Sequence, residues 1–307
     1  MKHKWIFLLL TMVLTLSLVM PGCAEKQGEK HATFCFCQWS GDWMTIYVPK
    51  ILLEEELGYT TEIVELSITA GFTAIATGEA DLWTDSWQPN QATLAEKYAD
   101  NIESLGIVYD NCLQGWMVPK WVSEQYGITE VADLDDPEIA RMFDIDNDNI
   151  GDIMGCDAAW TCCRVTDEEI AGYGLGDLYE QKYGAEALMT AAIEGRLKKD
   201  EPVLFYFYMP HPFFVRHPVG ESVVWLDDPK DFWPMADVYK FGNKDWIAEN
   251  PQAAELVRQV EMTPDDIGWW IAQMEEKGDD AAVLETLARE WMAKHQAEVD
   301  SWLEAIK

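Results

Sequence analysis

Basic side chains are scarce in this sequence. It carries 22 Lys and Arg against 55 Asp and Glu, a formal net charge of −33, and 5 His in 307 residues. Affinity for nucleic acid rests on neutralising phosphates with Lys and Arg, so a nucleic-acid partner is excluded against that field. The acidity favours solubility and repels anionic solutes at long range, and says little about fold. Also missing is a second long apolar run: beyond the first twenty residues nothing approaches the ~20 apolar residues that a membrane span needs. Neither an internal repeat nor a low-complexity tract is present, which excludes solenoids and linker arrays. No histidine stands near a cysteine cluster at zinc-finger spacing.

What is present at the N-terminus reads as an export signal. Lys2 and Lys4 precede an apolar run from Trp5 to Met20, too short for a comfortable span. Gly22-Cys23 closes the cleavage zone and resembles a bacterial lipobox, whose cysteine is lipidated and becomes the mature N-terminus. Pro21 is unusual there, and Met20 stands where leucine is more typical. Residues 1–22 are thus expected as signal peptide and 23–30 as a lipid-anchored tether. The remainder lies outside the cytoplasm, in a periplasm or on the outer face of the cytoplasmic membrane. Removing residues 1–22 deletes two lysines and no acids, so 22 − 2 = 20 basic residues face 55 acidic ones, a balance of −35.

Apolar content of 49% with 15 tryptophans indicates a globular chain with a large core. The 307 − 22 = 285 mature residues exceed the usual single-core size of roughly 250, so two lobes are expected. Six cysteines remain after Cys23, and outside the cytoplasm they favour disulfides. Cys35 and Cys37 point to one face of a predicted strand, Cys156, Cys162 and Cys163 cluster, and Cys112 stands alone.

The apolar segment Ala32–Cys37 predicts a buried parallel strand, broken by Ser40-Gly41-Asp42. A helix then runs to Leu57 with Gly58 as its stop. Thr61–Leu66, a helix ending at Gly78, and Asp81–Asp85 continue the alternation of an open α/β sheet. A second α/β region runs from about Asn111 to Leu226, with a strand at Val203–Tyr208. Its helix is expected to begin near Thr166, where Glu169 three residues on suggests a capping box. From Pro251 the chain reads as helical, with Leu284, Leu287, Trp291, Val299 and Trp302 on one face. Crossovers between the regions are expected near Tyr109–Gly115 and Asp237–Gly242.

Ligands of such sheets bind beyond the carboxyl ends of strands. Three aromatic residues sit at predicted strand-to-loop transitions: Trp87 in DSWQPN, Trp160 in GCDAAWTCC and Tyr208 in LFYFYMPHP. One such ring is more often core than ligand contact; three, drawn from both regions, suit a cation that donates no conventional hydrogen bond. Each ring over a trimethylammonium group contributes ~0.5–2 kcal/mol. Trp43, in the first strand-end loop, is a candidate fourth wall.

GCDAAWTCC with the preceding DPEIARMFDIDNDNIGDIM resembles the periplasmic glycine betaine/proline betaine-binding proteins of ABC importers. So do GDWMTIYVPKILLEEELGY, ITAGFTAIATGEADLWTDSWQP and EPVLFYFYMPHPFFVRHPVGESVVWL. The resemblance spans nearly the whole mature chain. It implies an α/β, two-lobed periplasmic-binding-protein fold of the type II kind, with lobe 1 from 31–110 plus 240–307, lobe 2 from 111–239, and ligand in the cleft. It also implies ABC permease and ATPase subunits as partners, no cofactor, and no catalysis.

Residue by residue, Trp87, Trp160 and Tyr208 match the family's cage aromatics, with Tyr208 where close relatives carry tryptophan. Thr161 and Cys162 match positions whose backbone N–H groups hold a ligand carboxylate, and Cys156 and Cys162 match a pair that closes a small disulfide loop. Cys163 is extra and could compete for that bond. The family histidine four residues after the first cage tryptophan is replaced by Gln91, with Asn90 beside it. Either amide can donate to a carboxylate, but neither brings positive charge. Choline or trimethylamine N-oxide therefore stand as alternatives to glycine betaine, and a sensory module without transport as an alternative role.

Asp144, Asp146, Asp148 and Asp152 have the oxygen spacing of a calcium loop's beginning. Asn149 replaces the usual glycine and Gly155 the closing glutamate, so a hydrogen-bonded acidic turn is the plainer reading. Arg164 is read as structural, with a charge near the carboxylate pocket as its alternative. His211 and His217 have no nucleophile or carboxylate at catalytic spacing, and Cys162 or Cys163 would need a base and an electropositive setting to react.

Overall fold

A computed structural model describes residues 30–307. The expected signal peptide and Cys23 lie outside the described residues. Among the described residues no helix is long and apolar enough to cross a membrane.

The first half follows the alternation read from its punctuation. Strand β1 (His31–Phe36) is buried from its second residue onward, and a turn through Gly41 leads into helix α1 (Asp42–Leu57). Gly58 ends α1 at φ 71°, a left-handed conformation that a side chain would strain. Strand β2 (Thr60–Glu65), helix α2 (Ile68–Thr77), strand β3 (Leu82–Gln88) and helix α3 (Ala92–Lys97) follow. Strand β3 runs three residues past the expected Asp85, which carries Trp87 on the sheet itself. Strand β4 (Ile102–Cys112) then passes through Leu113 into β5 (Gln114–Pro119).

The next elements are α4 (Lys120–Tyr126), α5 (Pro137–Met142), β6 (Gly151–Met154), α6 (Thr161–Tyr173), β7 (Tyr179–Lys182), α7 (Glu186–Leu197), β8 (Leu204–Tyr208), α8 (Phe213–Arg216) and β9 (Val223–Trp225). The chain returns in β10 (Ala236–Asn243) and ends in α9 (Lys244–Glu249), α10 (Pro251–Gln259), α11 (Pro264–Lys277), α12 (Ala281–Lys294) and α13 (Gln296–Ala305). The five apolar residues expected on one terminal helix are all buried, but they divide between α12 and α13, which meet at His295.

The strands form two five-stranded sheets, ordered β2-β1-β3-β10-β4 and β7-β6-β8-β5-β9. In each, three parallel strands are followed by one antiparallel strand and an edge strand. That antiparallel strand is the one that has just arrived from the other sheet: β5 in the second, β10 in the first. The first crossing lies where expected, at Leu113. The second does not. Asp237–Gly242 forms β10, and the crossing is the preceding 226–235 segment.

Helix α6 also departs from expectation. It begins at Thr161, five residues before Thr166, with Trp160 at the N-cap. Thr166 and Glu169 lie in its interior, fully buried. Glu169 accepts a hydrogen bond from Trp233 Nε1 rather than closing a capping box.

Candidate functional site

The carboxyl ends of β1, β3, β6 and β8 converge on one cavity, lined by Trp39, Trp87, Trp160 and Tyr208 among others. It measures about 60 Å³, against the ~10–15 Å³ that one water requires, so it suits a solute of only a few heavy atoms. Three rings define its shape. Trp39 and Trp87 lie 5.5 Å apart at 79°, Trp39 and Tyr208 5.4 Å at 82°, and Trp87 and Tyr208 5.8 Å at 82°. Planes mutually perpendicular in this way are oriented like three sides of a box corner. Trp160 adds a fourth ring, 6.2 Å from Tyr208. Trp39 and Trp87 come from the first sheet, Trp160 and Tyr208 from the second. The loops beyond the two middle rings match: the peptides Gln88–Pro89 and Met209–Pro210 are both cis.

Trp43, expected as a fourth wall, is not at the cavity. It packs against Phe36 with the rings tilted by 38° and their centroids 4.3 Å apart, and meets Tyr47 at 5.9 Å. Trp39, four residues earlier in the loop before α1, takes the place. Only the turn decides which of the two rings faces inward. Gly41 permits it, because the Trp39 ring lies where a side chain at 41 would be.

Two carboxylates lie beneath the tryptophans. Asp85 Oδ1 accepts from Trp87 Nε1 at 2.8 Å and Oδ2 from Tyr109 OH at 2.9 Å. Asp42 Oδ2 accepts from the Cys37 N–H at 2.9 Å. Burial pushes the Asp42 carboxyl up to about 7, against the pull of its hydrogen bonds from Cys37 and Trp39. Asp85 is held well above the usual carboxylate range by burial and then by the charge of Asp42. Neither was read from the sequence as part of a site; the only available signal was their position at strand ends.

The opposite polarity comes from α6. The first N–H groups of a helix have no acceptor within it and carry partial positive charge, and here they belong to Thr161 and Cys162, both of which line the cavity. Cys156 and Cys162 bring their sulfurs to 1.95 Å across the turn that precedes α6. Cys163, the competing candidate, is buried with its sulfur 3.2 Å from that of Cys156, and burial pushes its thiol up to about 12. Cys35, Cys37 and Cys112 are buried and form no bridge among the described residues.

Asn90 and Gln91 also reach the cavity. The Asn90 side chain is committed to Gln114, donating to Oε1 at 2.8 Å and accepting from Nε2 at 3.1 Å. Gln91 is buried and uses its oxygen to accept from Ser86 Oγ at 3.0 Å. Arg164 lies on the exposed rim, where it pairs with Glu168 and donates to the Asn90 carbonyl at 3.0 Å, joining α6 to the first sheet.

The acidic loop is largely self-satisfied. Asp144 accepts from the N–H groups of Asn147, Asp148 and Asn149 at 2.7–3.2 Å. The Lys182 ammonium sits 2.7 Å from Asp146 Oδ2 and 3.0 Å from Asp152 Oδ1, and also bonds Glu180, so a fixed cation already occupies this carboxylate group. His217 lies away from the cavity near Glu194 and Ser222. His211 packs behind Tyr208 against Glu186. Sequence reasoning missed Glu186, whose partners are far away along the chain.

Residues 33–294 match the family model described as the substrate-binding domain of the ABC-type glycine betaine transport system. The chain is 30% identical over 283 residues to the glycine betaine/proline betaine-binding periplasmic protein of Salmonella typhimurium, covering 85% of each. Its fold is similar to that of lactococcal OpuAC in a closed conformation with glycine betaine, with TM-score 0.74, 20% identity, and coverage of 89% of this chain and 99% of the other. It is also similar to that of an ABC-transporter choline-binding protein solved with choline, with TM-score 0.78, 19% identity, and coverage of 91% of this chain and 93% of the other. These relatives are substrate-binding proteins, not enzymes.

Proposed function

This chain belongs to the family of substrate-binding domains of ABC-type glycine betaine transport systems, and from that premise we propose that it captures glycine betaine or a close quaternary-ammonium relative for import. The observation that carries this reading is the box of three near-perpendicular rings whose cavity also receives the first turn of α6. A permanent cation placed among the rings gains their π attraction and that of the Asp42 carboxylate below, to the extent that it is ionised. Its carboxylate tail is suited to the N–H groups of Thr161 and Cys162. Gln91 is the fitting side-chain donor to that tail, because its oxygen is held by Ser86 whereas both ends of the Asn90 amide are spent on Gln114. The Cys156–Cys162 disulfide would hold the turn that presents Trp160.

Choline is the second reading, favoured by the acidic floor and by an uncharged Gln91. Calorimetry with glycine betaine, proline betaine, choline, carnitine and trimethylamine N-oxide tests both. Micromolar binding of glycine betaine supports the first reading; tighter binding of choline moves the assignment to the second. Binding of an uncharged or anionic solute, with all five weaker than millimolar, removes the quaternary-ammonium class.

The rest of the proposal concerns delivery. Lobe 1, built on the first sheet (31–112 with 236–307), and lobe 2, built on the second (114–225), close over the solute, which excludes water and strengthens the cation–ring attraction. The closed protein docks on the permease and ATPase assembly, held at the membrane by lipid on Cys23. Replacing Cys23 with alanine should move the mature protein from the membrane to the soluble fraction; unchanged membrane association would remove the anchor.

A further inference from the structure

Glu186 is the first residue of α7, where the helix dipole favours an anion. Its carboxylate is nearly buried, with 12% of the side chain exposed. Oε2 accepts from the Ser40 N–H at 2.9 Å and from Ser40 Oγ at 2.8 Å. Oε1 accepts from the Tyr208 hydroxyl and lies 3.3 Å from His211 Nε2. The Phe213 N–H donates to His211 Nδ1 at 3.0 Å, which in the neutral ring leaves the proton on Nε2, facing Glu186. Although burial opposes the charge, the bonds from His211, Tyr208 and Ser40 hold the carboxyl below its ordinary range.

These donors belong to two halves of the molecule. Ser40 lies in the loop between β1 and α1, next to Trp39; Tyr208 ends β8 in the second sheet and His211 follows it. One carboxylate therefore grips the backbone beside one cage ring and the hydroxyl of another. We propose that Glu186 is the latch that holds the halves closed over the solute and fixes Tyr208 in the cage. It is a positioning residue, since it reaches the solute only through Ser40 and Tyr208. The inference rests on the quaternary-ammonium reading above, because it assigns the latch to that cage.

A latch acts after the solute has entered, so it slows release and leaves entry nearly unchanged. Stopped-flow tryptophan fluorescence with glycine betaine and with choline separates the two rates. Glu186→Gln should raise the dissociation rate about tenfold, and Ser40→Ala about threefold, with association rates within about twofold of the parent. The double variant should release no faster than Glu186→Gln alone, because Ser40 acts through that carboxylate. Tyr208→Phe, which keeps the ring, should raise release while the Ser40→Ala effect persists on top of it. Ser40→Ala alters only a loop hydroxyl and keeps the test alive if Glu186→Gln folds poorly. Parent-like release in both single variants, or strictly additive effects in the double, overturns the latch while leaving the ligand class intact. If the parent chain binds neither solute, the ligand reading fails and the latch falls with it.

Discussion

A Cβ added to Gly41 would lie 2.1 Å from the ring of Trp39. The glycine is not needed for its backbone, which is helical at φ −75° and ψ −27° and open to any residue. It is needed for space: the indole folds back over it to face Trp87 and Tyr208. Gly41→Ala should therefore leave the fold intact and displace one wall of the box. We expect affinity for glycine betaine to fall about tenfold, the loss of roughly one ring's attraction. Calorimetry on the variant with an unchanged melting temperature checks this, and parent-like affinity would take Trp39 out of the site.

Trp160 tests the wall from the other side. It is half-buried, caps α6 and stands 6.2 Å from Tyr208. Its removal leaves the larger cores untouched, since its contacts are at their edge. Trp160→Ala should weaken binding at least ~10-fold with little loss of stability. Wild-type affinity in the folded variant would exclude the ring from ligand contact.

How much of this was legible in the sequence depended on whether the deciding partner was near or far along the chain. Gly58 and Gly78 stop α1 and α2 where the sequence places their stops, because a left-handed C-cap is a local property. Trp87, Trp160 and Tyr208 could be singled out because strand ends are locally marked, and the cavity brings them together. Thr166 and Glu169 misled because capping-box spacing also occurs inside helices; burial, which spacing does not reveal, keeps both within α6. Trp43 and Trp39 differed only in which side of the Gly41 turn they occupied. Glu186 was invisible, its partner Ser40 being 146 residues away.

The acidic floor predicts a pH dependence for a permanently cationic ligand. Burial first, with the charge of Glu186 adding to it and hydrogen bonds from Cys37 and Trp39 opposing, places the Asp42 titration at about 7; Asp85, whose carboxyl is also raised by burial, faces it. A bound cation favours the carboxylate, so binding below that value must expel a proton. Choline affinity should rise as pH increases from 6 to 8, by up to about tenfold if only the ionised form binds well. Asp42→Asn keeps an oxygen for the Cys37 N–H and should flatten the profile. A parent profile that is already flat would show that Asp42 is not felt at the ligand.

Glu169 offers a stability test remote from the rings. It is fully buried in α6, bonded through one oxygen to Trp233 in the second crossing segment, with no hydrogen-bond partner for the other among the described residues. Burial pushes its carboxyl up to about 8, against the pull of the Trp233 bond. Between the ordinary value near 4.5 and about 8 the native state keeps a proton that the unfolded chain has lost. Its contribution to stability is therefore fully present below the lower value and declines as pH rises through the upper one, by on the order of a few kcal/mol. Glu169→Gln is neutral throughout and can still accept the indole N–H. Urea unfolding at pH 5 and pH 9 should find the variant close to the parent at the lower pH and more stable at the higher. Parallel behaviour at both would mean that the carboxyl ionises in the native state as it does in the unfolded chain.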